Sequence, residues 1–72
     1  MPTRQISARN VLKGKVVSVK HGSVNSEVVL ELAEGVELVS IITKESAEKL
    51  ELIKGTNACA VIKASNIMIA VE

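Results

Sequence analysis

No Phe, Tyr or Trp occurs anywhere in these 72 residues, and that absence limits the fold more than any single motif. Aromatic rings bury ~150–250 Å² each and ordinarily dominate a small core. Here Val, Ile, Leu and Ala must fill the interior alone. A chain this short rarely draws more than a few kcal/mol from one core. Its one cysteine, Cys59, forms no internal disulfide, and no metal-ligand spacing is visible. Association with further copies is the expected route to stability. One domain over residues 1–72 is expected, because there is no room for a second core.

Charge and composition exclude several functions. A net charge of +1 provides none of the basic excess that a phosphate backbone demands. Single-strand binders also stack bases on aromatic rings, which are missing here. Catalysis is not expected either. His21, the only histidine, lies in a Gly-containing turn, the chain has no Asp, and no nucleophile is paired with a base. No Gly-rich phosphate loop is present. Met1-Pro2-Thr3-Arg4-Gln5 leads into polar residues, and the apolar runs fall far short of the ~20 residues that span a bilayer. With an unpaired cysteine in an apolar stretch, a soluble cytoplasmic chain is expected.

The dominant period is two. Strands are expected over Val11 to Lys20, Ser26 to Leu32, Val36 to Ile42, Asn57 to Lys63 and Ile67 to Val71. Gly14 marks a bulge or a close approach of backbone within the first. His21 to Asn25 reads as a turn, and Ala33-Glu34-Gly35 as a tight connection. In the second strand Val28, Leu30 and Leu32 share one face while Glu27, Val29 and Glu31 share the other. Thr43 is placed to cap a short helix from Lys44 to about Leu50, with Glu45 in its first turn. The fold class is therefore all-β with one short helix. Five strands interrupted by one helical turn describe a small closed or nearly closed barrel of the oligonucleotide/oligosaccharide-binding (OB) type.

Two segments carry the chemistry. Ser7-Ala8-Arg9-Asn10 precedes the first strand, and Lys63-Ala64-Ser65 follows the fourth. Arg9, Lys63, Ser7 and Ser65 are all donors, and neither segment contains a carboxylate. Guanidinium and ammonium groups make charge-assisted bonds to anionic oxygens. A fold that joins the two segments makes a pocket suited to a small oxyanion.

The chain also resembles a known family. Ile6-Ser7-Ala8-Arg9-Asn10, Leu12-Lys13-Gly14-Lys15-Val16-Val17, Ile41-Ile42-Thr43 and Ala60-Val61-Ile62-Lys63-Ala64 match, in order and spacing, the Mop family of molybdate-binding proteins, or molbindins. The likeness runs from Gln5 to Val71. It implies an OB-like Greek-key barrel assembled as a homo-hexamer, a trimer of strand-exchanging dimers. It also implies molybdate, and tungstate with it, held at subunit interfaces for intracellular molybdenum homeostasis, with no resident cofactor. By this resemblance Ser7, Ala8, Arg9, Asn10, Thr43, Lys63, Ala64 and Ser65 form the oxyanion site between paired chains. A second site, on a threefold axis, is assigned to the turn residues His21, Gly22, Ser23 and Val24. The competing expectation is an OB-type module that only oligomerises or binds nucleic acid. Molybdate is a tetrahedral dianion, costly to remove from water unless its lone pairs find donors.

Overall fold

Residues that alternate between apolar and polar build one antiparallel sheet of four strands in the structure, a computed structural model that describes residues 9–72. β1 spans Asn10–His21, β2 Asn25–Ala33, β3 Val36–Thr43 and β4 Asn57–Ile62, and the helix α1 covers Lys44–Lys49 between β3 and β4. All five lie within one residue of the expected bounds. A single 3-10 turn, Ala64–Asn66, follows β4. The strand order β3-β2-β1-β4 is that of a Greek key. β1, β2 and β3 meander, the chain crosses through α1, and β4 returns to the free side of β1.

The fifth strand, expected over Ile67 to Val71, is a correction. Among the described residues this segment joins no ladder, and Met68 and Val71 are each 92% exposed. An extended segment becomes a strand only when another ladder satisfies its backbone. After the 3-10 turn, this chain's own strands offer it none. The sheet is consequently open, with β3 and β4 as edges, and not a closed five-stranded barrel. Leu38 and Ile42 of β3 and Ala60 and Ile62 of β4 line an apolar groove together with Leu52.

One face of the sheet holds the core. Val16, Val28 and Leu30 are buried, and Val19, Leu32, Leu38, Ile42, Leu52, Ala58 and Ala60 pack around them. Ala47 of α1 is buried as well. The helix owes its start to Thr43, whose Oγ1 accepts from the Ser46 N–H at 3.0 Å, as expected of an N-cap. Lys44 N–H then donates to the Val24 carbonyl at 2.7 Å, which ties the helix to the β1–β2 turn. Ser26 is the one buried polar side chain among the described residues, and it meets His21 Nδ1 at 2.6 Å.

β1 contains a phase break. Val16 pairs with Leu30 but Ser18 pairs with Val29, so Val17 is an extra residue. Before it, Val11, Lys13 and Lys15 point away from the core; after it, Ser18 and Lys20 do. Gly14 is a close-approach site and not the bulge. A Cβ there would lie 2.8 Å from the Glu31 carbonyl oxygen and 3.2 Å from Leu32 Cδ2. Gly14→Ala is expected to destabilise the domain by about 1–3 kcal/mol, because backbone must move to relieve the contact. Urea unfolding measures it, and an unchanged midpoint would mean that β1 and β2 are not packed this closely.

Candidate functional site

The ladder between β1 and β4 determines how the two donor segments are placed. Its register runs from Lys15↔Asn57 to Asn10↔Ile62, so the next step brings Arg9 opposite Lys63. Lys63 keeps extended backbone (φ −68°, ψ 132°), and both residues are exposed. Two cations thus end adjacent strands of one chain. Like charges facing each other across a ladder are unfavourable. The preceding rungs, Asn10–Ile62 and Val11–Val61, bring no carboxylate to offset them.

The turn after β4 adds donors. Its hydrogen bonds run from Asn66 N–H to the Lys63 carbonyl and from Ile67 N–H to the Ala64 carbonyl, at 2.9 and 3.3 Å. The N–H groups of Ala64 and Ser65 come before the first of these and have no acceptor within the turn. Ser65 is exposed and adds a hydroxyl. Asn10 differs from its neighbours. It is half-buried, and its Nδ2 donates to the Ile62 carbonyl at 3.3 Å. Ser7 and Ala8, the rest of the first segment, lie outside the described residues.

Thr43 is at the other end of the sheet. It pairs with Asn25, and the neighbouring rung of the β1–β2 ladder is His21↔Ser26. Through the Lys44–Val24 bond it sits beside the turn of Gly22, Ser23 and Val24. One chain therefore gathers Arg9, Asn10, Lys63, Ala64 and Ser65 at one end, and Thr43 with His21 to Val24 at the opposite end. The Thr43 hydroxyl also donates to Ser46 Oγ at 2.8 Å, which leaves the exposed Ser46 hydroxyl as the free donor of that pair.

A family profile described as the TOBE domain matches residues 6–69. Molybdenum-pterin-binding protein 3 of Clostridium pasteurianum is 56% identical over 64 residues, covering 89% of this chain and 94% of that protein. The probable molybdenum-pterin-binding protein of Haemophilus influenzae is 46% identical over 94% of this chain and 99% of its own length. The chain belongs to the Mop group of the TOBE family. Among solved structures, MopII from Clostridium pasteurianum superposes with a TM-score of 0.86 at 49% identity, over 93% of this chain and all of MopII. A molybdate-binding protein from Sporomusa ovata superposes with a TM-score of 0.87 at 33% identity, over 93% of this chain and 98% of that one. The OB-like, mainly β fold of this Mop domain is thereby established.

Ser46, the hydrogen-bond partner of Thr43 at the helix cap, was not singled out from the sequence. Its signal was its place three positions after the capping threonine, where side chains reach back toward the cap. Among the described residues, no three His, Cys, Asp or Glu side chains gather as a metal site. No helix among them is long and apolar enough to cross a membrane.

Proposed function

We propose that this Mop domain binds molybdate, and tungstate with it, as an intact oxyanion for intracellular storage and homeostasis of molybdenum. The observation that supports this reading is the Asn10↔Ile62 register: continued by one residue on each strand it leads to Arg9 and Lys63, with nothing anionic on the rungs before them. Relatives named for molybdenum or molybdate binding support it, as does a cytoplasmic molybdate-binding protein, ModG, 48% identical over 89% of this chain and 45% of its own, with a TM-score of 0.85. The function is binding and not catalysis.

The site comprises Ser7, Ala8, Arg9, Lys63, Ala64 and Ser65 of one chain, with the guanidinium and ammonium as charged donors and the turn's N–H groups beside them. Thr43 completes it from a second chain, since its own chain holds it at the far end of the sheet. The cluster of His21, Gly22, Ser23 and Val24 is the candidate for a second site where three chains meet. Assembly as a homo-hexamer of strand-exchanging dimers is supported by the open β3 and β4 edges, the apolar groove between them, and the exposed, apolar segment from Ile67 to Val71. No membrane and no nucleic acid is involved, and the protein works in the cytoplasm.

Titration calorimetry with molybdate tests the reading. Saturable heat is expected, together with a rise in melting temperature, because a ligand that binds only the folded assembly stabilises it by mass action. No heat and no melting shift at millimolar molybdate would overturn it in favour of an inert oligomerisation module.

A further inference from the structure

We propose that Asn10 is a positioning residue that sets the spacing of the two cations without touching the anion. The proposal rests on the oxyanion reading above. Within the strand, Asn10 belongs with Leu12, Gly14 and Val16, the residues of β1 on the core side, and it is half-buried. Its side-chain amide donates to the backbone carbonyl of Ile62, its own partner across the ladder. Arg9 and Lys63 are the next residues out on either strand. They project from the opposite face of that rung by strand alternation.

Two features make this clamp consequential. It sits at the last rung, where a ladder frays most easily. The residues just beyond it are two like charges that push the strand ends apart. A cross-strand bond at this rung resists that opening and keeps guanidinium and ammonium at one separation before any ligand arrives. Preorganised donors bind more tightly because less freedom is lost on association. Asn10 is also unlike Arg9, Ser65 and Lys63 in being turned toward the core, which leaves its amide poorly placed for a ligand beside them.

Asn10→Leu tests the clamp, since it keeps the side chain's approximate size and removes the donor. In the free protein, backbone amide hydrogen exchange at Asn10 and Ile62, the last rung of the ladder, is expected to accelerate at least threefold, with the rest of the sheet unmoved. In calorimetry at 25 °C, well below melting, the molybdate Kd is expected to rise about tenfold. The Asn10 side-chain amide resonances of the unmodified protein are expected to keep their chemical shifts when molybdate is added. A purely structural role would lower the melting temperature but leave Kd alone. Unchanged exchange, an unchanged Kd, or a large ligand-induced shift of the Asn10 amide would each overturn the proposal. If the unmodified protein binds no molybdate, the oxyanion reading fails, and the exchange measurement alone decides whether the clamp exists.

Discussion

Replacing Arg9 and Lys63 together by alanine is expected to weaken molybdate binding about a hundredfold, and each alone at least tenfold. A charge-assisted hydrogen bond contributes about 1.5–3 kcal/mol, and 1.4 kcal/mol is tenfold in affinity. Both cations end adjacent strands at one rung, so each reaches the same small volume. Removing one leaves the dianion half-neutralised in a site it had to be partly dehydrated to enter. The losses in the double variant need not add in full, because one anion couples the two groups. Lys54→Ala is the control: this exposed lysine lies in the α1–β4 connection, and its loss is expected to leave Kd unchanged. Calorimetric titration of the four proteins decides the matter. Equal affinity in all of them would place the oxyanion elsewhere.

Leu30→Ala is expected to produce the largest loss of stability, about 2–5 kcal/mol. Leu30 is 5% exposed in the middle of β2, between Val16 of β1 and Leu38 of β3. Only Val16, Val28, Leu30 and Ala47 are buried apolar residues among those described. With no aromatic ring to settle into the vacancy, the surrounding valines and leucines have little capacity to collapse. A domain of this length has a total stability of roughly 4–11 kcal/mol. The substitution therefore removes a large fraction, and partial unfolding at 37 °C is the expected outcome. Equilibrium urea denaturation reads it directly, and a loss below about 1 kcal/mol would mean the core is organised around other residues.

The strands, the helix and its Thr43 cap were legible in the amino-acid sequence because each is a local pattern. Alternation in Glu27 to Leu32 marks a half-buried strand, and a threonine followed by Lys-Glu-Ser marks a helix start. Gly14 was legible as a place of close approach. The extra residue at Val17 was not, because Val16 and Val17 are both apolar and no glycine interrupts the run. The loss of a fifth strand was equally hidden. Ile67 to Val71 has strand composition, yet whether it pairs depends on edges that only the assembled sheet defines. The donor segments were recognisable by residue type, but their meeting within one chain follows from the β1–β4 register, which no local pattern encodes. The same holds for Asn10, grouped with the ligand donors by its motif and turned to the Ile62 carbonyl by the ladder.

Val17 works like an inserted letter in a two-letter frame. Upstream of it, β1 is read against β4; downstream, it is read mainly against β2. The strand is thus two blocks with independent phase, joined at one residue that neither block uses. Deleting Val17 would leave the inside and outside of both blocks as they are, because Val16 and Ser18 already pair with the consecutive residues Leu30 and Val29; what would be lost is the bend and extra twist that the bulge gives β1. A single valine thereby sets the angle at which the cationic end of β1 leaves the hairpin at the other end, and not which face either block presents.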